Sequence, residues 1–314
     1  MHIPVLRDEV IHHWLGDPRG FYIDCTLGGG GHLRQLLPHL SDEAKILAID
    51  KDGEVLRQTA ATLSHPNLRL VNGDFKDLDR FLAPGEEGQA EGILIDLGVS
   101  SFQIDEPQRG FSYHEDALLD MRMNRNQPVK AADLVNQLSE QELSRIIFTY
   151  GEEKFARQIA RAICKYREKQ AIETTLQLTD IIKQAVPARS RRDKHPARRT
   201  FQALRIAVNR ELEALEECLP KAVEALKPGG RLCVISFHSL EDRIVKKFFA
   251  EQARTCICPP RQPVCNCYYQ PSLEIVTRKG ITPGEAELEV NPRARSAKLR
   301  VARKIVVLSN REEE

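Results

Sequence analysis

The sequence predicts an α/β fold, a parallel sheet interrupted by an all-helical insertion, and three observations carry that prediction. Between Gly20 and Ser101, short continuous apolar runs alternate with helix-length amphipathic stretches. Runs of that kind suit strands covered on both faces, and the alternation implies right-handed crossovers in a parallel sheet. From about Glu106 to Arg205 the strand runs vanish and helical periods take over. Strand character then returns, so the sheet is interrupted and later completed. The expected boundaries are residues 1–105 for the first part of the sheet domain, 106–205 for the insertion and 206–314 for the second part.

The expected strands of the first part are residues 21–25 (FYIDC), 45–49 (KILAI), 68–71 (LRLV) and 92–97 (GILIDL). Between the first two, Leu33, Leu36, Leu37 and Leu40 recur at helical spacing. In the insertion, Ser139 followed by Glu142 has capping-box spacing, with Leu143, Ile146 and Ile147 as the apolar face behind it. Past Gly151, Phe155, Ile159, Ile163 and Tyr166 mark one face of a second helix, and Arg157, Arg161, Lys165 and Arg167 occupy the rest. A third helix near residues 176–186 stops before Pro187. An amphipathic helix over 211–226 then ends at the turn Lys227-Pro228-Gly229-Gly230, and a buried strand follows over 231–237 (RLCVISF). Residues 274–278 and 296–304 resemble two more strands, both exposed.

Composition narrows the class. With 314 residues, 41% hydrophobic and 29% charged, the chain is rich enough in apolar residues to exclude wholesale disorder. No window reaches the ~18 consecutive apolar residues of a membrane span. The first fourteen residues mix acids, bases and histidines, unlike a signal-peptide core. A cytoplasmic protein without a membrane partner is expected. In that setting its 8 cysteines argue for thiols or metal ligands over disulfides. The net charge of +1 gives no hint of a nucleic-acid partner.

The segment Asp24-Cys25-Thr26-Leu27-Gly28-Gly29-Gly30-Gly31-His32 follows the first strand and precedes a helix. Consecutive glycines let backbone approach a ligand closely and adopt positive φ, and the strand–glycine–helix context favours a cofactor site over a plain flexible turn. The dinucleotide pattern G-x-G-x-x-G fails at its third glycine, which falls on Leu33 or Arg34, so a nicotinamide oxidoreductase is disfavoured. Asp50, ending the second strand, can accept both hydroxyl protons of a ribose, or it can cap the next helix. Gly73-Asp74-Phe75 ends the third strand, where the ring can stack on adenine and the acid can read its amine. Asp96-Leu97-Gly98-Val99-Ser100-Ser101 ends the fourth, at the carboxyl edge where open α/β sheets hold ligands.

These segments and others resemble the ribosomal RNA small-subunit methyltransferase H family, also called MraW. The matching stretches are His2-Ile3-Pro4-Val5-Leu6, the glycine segment, Ala48-Ile49-Asp50, residues 95–101 with Gln103, and Arg109-Gly110-Phe111-Ser112. Leu119-Asp120-Met121-Arg122-Met123, Tyr150-Gly151-Glu152-Glu153, His195-Pro196-Ala197, residues 199–205, residues 236–243 (SFHSLEDR) and residues 291–296 continue it in order along nearly the whole chain. The resemblance implies a Rossmann-like sheet using S-adenosylmethionine, with an inserted helical domain for substrate recognition. It implies methylation of the N4 amine of a cytidine in the decoding centre, at the P site, of 16S rRNA within the small ribosomal subunit. It carries over Gly30, Gly31, His32, Asp50, Phe75, Asp96 and Gln103 as cofactor-binding positions. A homodimer is compatible with this reading.

An exocyclic cytosine amine is a weak nucleophile because its lone pair is delocalised, so an enzyme must align it, localise that pair with acceptors and take up a proton. DNA amino-methyltransferases use a Ser/Asp-Pro-Pro-aromatic motif after the fourth strand, and DLGVSS here lacks both proline and aromatic. The catalytic candidates are Asp96 and, after the strand over 231–237, His238, Glu241 and Asp242. The latter segment also reads as a helix start, with Ser239 as cap and the acids on its first turn. Asp120 and Arg122 are either substrate contacts or an internal ion pair. A DNA amino-methyltransferase and a noncatalytic ribosome-assembly factor that binds RNA are the alternatives in function.

Between Ala188 and Arg210 there are eight Lys or Arg against one acid. Arg191, Arg192, Lys194, Arg198 and Arg199 are the candidates for RNA phosphates, and residues 291–304 add a second basic stretch. Aromatics are few there, which points to folded RNA read by shape. Finally, Cys256, Cys258, Cys265 and Cys267 form two C-x-C pairs across a Pro-rich turn, read either as reduced thiols in an external loop or as four ligands of a structural zinc.

Overall fold

The computed structural model describes residues 3–188, 195–259, 262, 264–267 and 269–306. Two compact units make up the chain, one of Met1–Gly98 with Leu212–Glu314 and the other of Val99–Glu211. In chain order the first unit contributes α1 (Arg7–Trp14), β1 (Phe21–Asp24), α2 (Gly31–Leu36), β2 (Lys45–Asp50), α3 (Gly53–Ala60), β3 (Leu68–Asn72), α4 (Leu78–Phe81) and β4 (Ala90–Asp96). The second unit holds α5 (Ser101–Asp105), α6 (Ala131–Gln137), α7 (Glu140–Gly151), α8 (Ala156–Arg167), α9 (Thr175–Ala185) and α10 (Arg198–Asn209). The sheet unit then resumes with α11 (Glu211–Ala225), β5 (Leu226–Ser236), α12 (Ser239–Gln252), β6 (Leu273–Ile275), α13 (Glu285–Val290) and β7 (Lys298–Lys304).

The fold is Rossmann-like α/β, with strand order β3-β2-β1-β4-β5-β7-β6. Strands β3 to β5 run parallel and β7 pairs antiparallel with both β5 and β6. The pleat sorts the apolar runs onto two faces. Ile23, Leu47 and Ile93 pack on one side with Leu215, Leu219 and Phe249. Tyr22, Ile46 and Leu94 pack on the other with Trp14, Leu33 and Leu36. Both faces are covered, which is why these strands are apolar throughout instead of alternating.

Three expectations are corrected. The turn Lys227-Pro228-Gly229-Gly230 lies within β5, as a bulge: register moves from Ala90↔Leu226 to Gly92↔Arg231, with Gly229 at φ +85°. The strand expected at 274–278 is three residues long and starts at Leu273. The middle of the last strand, residues 299–302, is buried, not exposed, because β7 sits between β5 and β6 with Leu299, Val301 and Ala302 in the core. Its basic residues are taken up internally. Asp242 of α12 receives Arg300 (Nε–Oδ1 2.6 Å) and Lys298 (3.1 Å), Arg303 pairs with Glu274, and Lys304 Nζ donates to the carbonyls of Glu224 and Leu226. The second basic stretch therefore largely braces the sheet edge.

In the helical unit, Leu143, Ile147, Ile159, Ile163, Leu178, Ile182, Phe201 and Leu204 form the core. The Ser139 capping box is present, with the Glu142 N–H donating to Ser139 Oγ (3.2 Å) and Ser139 N–H to Glu142 Oε2 (2.9 Å). The segment Leu119–Met123 lies outside helix and strand and is held by backbone bonds, among them Leu119 N–H to Glu173 O (2.9 Å) and Met121 N–H to Arg109 O (3.0 Å), and by side chains. Arg109, 2% exposed, donates to the carbonyls of Arg122 and Met123 at 3.0 Å each. Asn209 donates to Met121 O and accepts from Met123 N–H, both at 2.8 Å. Asp120 and Arg122 form a bidentate pair (2.7 and 2.8 Å), the internal ion pair of the two readings. Among the described residues no helix is long and apolar enough to cross a membrane.

Replacing Asn209 by Ala strands the buried Met123 N–H, and a loss of about 1–3 kcal/mol is expected. A urea melt of Asn209→Ala with an unshifted midpoint would show that this clamp carries no weight.

Candidate functional site

Parallel pairing brings the carboxyl ends of β2, β1 and β4 side by side. Asp24 pairs with Ala48 and Leu94, so Asp50 and Asp96 each stand two residues beyond it on the flanking strands. The glycine segment crosses this edge and is tied to each neighbour. Leu27 N–H donates to Ile49 O (2.9 Å) and Gly28 N–H to Asp50 Oδ2 (2.6 Å). Thr59 of α3 donates to Gly28 O (2.7 Å), and Thr26 Oγ1 accepts from Asp96 N–H (2.6 Å). Gly28 and Gly30 have φ of +50° and +69°. A Cβ on Gly30 would stand 2.8 Å from Thr59 Cγ2, so glycine is required there by conformation and by space.

Asp50 is not the helix cap. Asp52 fills that role, accepting from Glu54 N–H (3.1 Å) and Val55 N–H (3.3 Å). Asp50 instead turns toward the glycines and accepts one backbone N–H on each oxygen, from Gly28 and from Asp52 (2.8 Å), leaving further lone pairs available. Burial pushes its carboxyl up to about 6, against the pull of those two N–H groups. Asp24 is pushed to about 7, first by burial and further by Asp96 and Asp50, with Thr26 N–H and His32 opposing.

His32, on the first turn of α2, is 6% exposed, and neither ring nitrogen has a hydrogen-bond partner among the described residues. Its Nε2 lies 3.6 Å from Asp96 Oδ2, and Asp96 Oδ1 is also buried without a partner. Buried polar atoms are almost always satisfied, so unpaired atoms at a strand-end crevice are open to partners that a ligand could supply. Three carboxylates beside a close-approach glycine loop favour a cationic ligand bearing a diol and repel a pyrophosphate. The residues present fit S-adenosylmethionine, with its sulfonium, ammonium and ribose, and not a dinucleotide.

Phe75 stands three residues past β3, whose last residue pairs with Asp50 at the same carboxyl edge, and its ring is buried in the core that includes Ile49 and Leu78. Gln103 belongs to the helical unit, where it closes a capping box with Ser100 (Ser100 N–H to Oε1 3.0 Å). After β5, His238 and not Ser239 is the N-cap of α12. Glu241 Oε2 accepts from Phe237 N–H (2.8 Å) and His238 N–H (3.2 Å). His238 Nε2 lies 3.0 Å from Glu241 Oε1 but out of hydrogen-bond alignment. Burial pushes the Asp242 carboxyl up, yet Arg300 and Lys298 outweigh it and hold the group below its ordinary range. Thus Glu241 serves the helix start and Asp242 the sheet edge. Arg198 and Arg199 lie exposed on the first turn of α10, where Arg199 donates to Glu152 O (2.9 Å). Arg191, Arg192 and Lys194 lie outside the described residues. The four cysteines 256, 258, 265 and 267 meet in the connection between α12 and β6. Sequence reasoning passed over Asp24, Thr26 and Thr59 as site residues. The first two stand inside the glycine segment itself, whereas Thr59, 31 residues from Gly28, left no local signal.

The family model described as "MraW methylase family" matches residues 1–305. A protein of Heliobacterium modesticaldum named "Ribosomal RNA small subunit methyltransferase H" is 51% identical over 308 residues, covering 97% of this chain and 98% of its own. One of the same name from Symbiobacterium thermophilum is 50% identical, covering 97% and 96%. Among solved structures, an rRNA methylase from Streptococcus thermophilus aligns with 96% of this chain and 94% of its own at a TM-score of 0.43 and 12% identity.

Gly30→Ala puts a Cβ into a left-handed conformation, at a cost of about 1–2 kcal/mol before the Thr59 contact is counted. Denaturant unfolding that shows no loss of stability would mean that the loop relaxes into another path.

Proposed function

The chain belongs to the MraW methylase family, and on that premise we propose that it methylates small-subunit ribosomal RNA. S-adenosylmethionine is the donor, and the N4 amine of a cytidine in the decoding centre, at the P site of 16S rRNA, is the acceptor. The observation that carries this reading is the crevice at the ends of β1, β2 and β4, with its three carboxylates, its glycine loop and the unpartnered His32–Asp96 pair. The names of the relatives support the rRNA substrate, and the sequence motifs of the family support the cytidine amine.

The donor supplies an electrophilic methyl on a sulfonium, and the chain's own residues do the rest. Asp50 holds a ribose through hydroxyl donors. Gly28 to Gly31 admit the ligand close to the backbone. Asp96 Oδ1 accepts a hydrogen from the exocyclic amine, which localises its lone pair and orients it for transfer. His32, 3.6 Å from Asp96 Oδ2, stands ready to share the proton released afterwards. Of the four catalytic candidates, Asp96 and His238 each retain an unsatisfied buried polar atom, whereas Glu241 and Asp242 are engaged by backbone amides and by basic side chains, and of the first two Asp96 stands beside the glycine loop. Arg198 and Arg199 offer phosphate contacts on the helical unit, and a target base must leave its stack to reach the donor.

Mass spectrometry of small-subunit rRNA from a strain lacking the protein should show one lost cytidine methyl. Wild-type chain should restore it and Asp96→Asn should not. Full methylation in the deletion strain overturns the substrate, and activity on duplex DNA but not on small subunits favours a DNA amino-methyltransferase. Asp50→Asn should weaken S-adenosylmethionine binding by about 1.5–3 kcal/mol. A protonated Asp50 accepts hydroxyl hydrogens poorly, so wild-type affinity should fall as pH drops through about 6, and the variant's should not. Affinity independent of both changes removes Asp50 from the site. Replacing Arg198 and Arg199 by Ala should lower subunit affinity and reduce its salt dependence by about one to two phosphates' worth of slope, with S-adenosylmethionine binding spared.

A further inference from the structure

The connection between α12 and β6 carries two C-x-C pairs, Cys256 with Cys258 and Cys265 with Cys267. Their sulfurs converge on one point. Cys265 Sγ lies 3.5 Å from Cys256 Sγ, 3.6 Å from Cys267 Sγ and 3.9 Å from Cys258 Sγ, and Cys256 and Cys267 are 3.8 Å apart. All four lie within 4.8 Å of one another. No pair is bonded, since a disulfide needs about 2.05 Å. A zinc ion with Zn–S bonds of about 2.3 Å holds four tetrahedral sulfurs about 3.8 Å apart, close to the four distances of 3.5–3.9 Å given above.

Among the described residues nothing apolar gathers these thiols: Ile257 and Val264, between and beside them, are 58% and 73% exposed. Backbone amides point at the sulfurs instead, Cys258 N–H to Cys256 Sγ (3.3 Å) and Ile257 N–H to Cys267 Sγ (3.5 Å). Such N–H donors are the outer-shell partners that disperse charge on metal-bound thiolates. Gln262 bridges the turn between the pairs, donating to Val264 O (3.0 Å) and Asn266 Oδ1 (2.6 Å). Four soft ligands with this geometry select zinc among common divalent ions, and a multi-iron cluster would spread its thiolates over separate metals. With four protein ligands and no open position, the site is closed and structural.

We propose that Cys256, Cys258, Cys265 and Cys267 bind one zinc ion that pins the connection between α12 and β6. On binding, each thiol gives its proton to solvent and a sulfur–zinc bond replaces the S–H bond, with no change of oxidation state. The site lies outside the crevice that would hold S-adenosylmethionine, so the two proposals stand or fall separately.

The test is elemental analysis of the full-length chain purified under reducing conditions without chelator. About one zinc per chain is expected, retained in Cys164→Ser and lost in Cys258→Ser/Cys265→Ser. Adding Co²⁺ to the metal-stripped wild-type chain should give thiolate-to-cobalt charge transfer and the strong visible bands of a tetrahedral site, which requires no variant to fold. Tryptic cleavage after Arg254 should speed up several-fold in the double variant or in chelator. The proposal is overturned by a reduced chain that binds neither Zn²⁺ nor Co²⁺, by two disulfides in the unreduced protein, by iron in place of zinc, or by a double variant that keeps its zinc.

Discussion

Parallel pairing of β1 between β2 and β4 is the constraint on which the rest of the molecule turns. Because all three strands run the same way, each ends at the same edge, and each ends in an acid. One antiparallel partner among them would send its carboxylate to the opposite side and leave a ribose or a sulfonium without company. The apolar bodies of the strands hold that register, since a slip by one residue would move Ile23, Leu47 and Ile93 onto the wrong face. Hydrophobic packing thus sets the electrostatics of the crevice. The acids in turn carry a desolvation penalty, and burial raises the carboxyls of Asp24 and Asp50, a penalty that the cationic ligand proposed above would relieve.

How far the sequence discloses this differs from element to element. β1, β2, β4 and most of β5 are legible because strands covered on both faces need no alternation. The glycine segment and Asp50 are legible because their residue types are needed for backbone approach and for accepting hydroxyls. β7 is misread as exposed because Lys298, Arg300, Arg303 and Lys304 look solvated. Their counter-charges, Asp242 and Glu274, lie 58 and 29 residues away from Arg300 and Arg303. The same blindness affects residues 238–242. A histidine and two acids after a strand look equally like catalysts and like a helix start, and the amides that Glu241 accepts show the helix start, a role that sits beside the catalytic reading without deciding it. The helix α10 is obscured by its own arginines, although Phe201, Leu204 and Val208 keep apolar spacing beneath them.

Charge tells a related story. The net value of +1 averages over regions with opposite tasks. The strand-end crevice is acidic, the start of α10 is basic and exposed, and the bases of β7 are engaged in place by two carboxylates and two carbonyls. A basic count along a segment is therefore a poor guide to a polyanion site until it is known which side chains are already paired. Arg122 and Arg205 make the same point inside the helical unit, each locked in a bidentate pair, with Asp120 and Glu211.

The strand order has a consequence for synthesis. β4 takes β5 as its neighbour, yet roughly 130 residues separate Asp96 from Leu226. At about 5–20 residues per second, a ribosome needs roughly 6–26 s to deliver the missing strand. Through that interval β4 is an unprotected edge, apolar on both faces and able to pair with any extended chain it meets. The helical unit, whose core contacts are more local, emerges first. A nascent chain of this topology is thus most exposed to aggregation midway through translation, and slowed elongation between the two strands would lengthen that exposure.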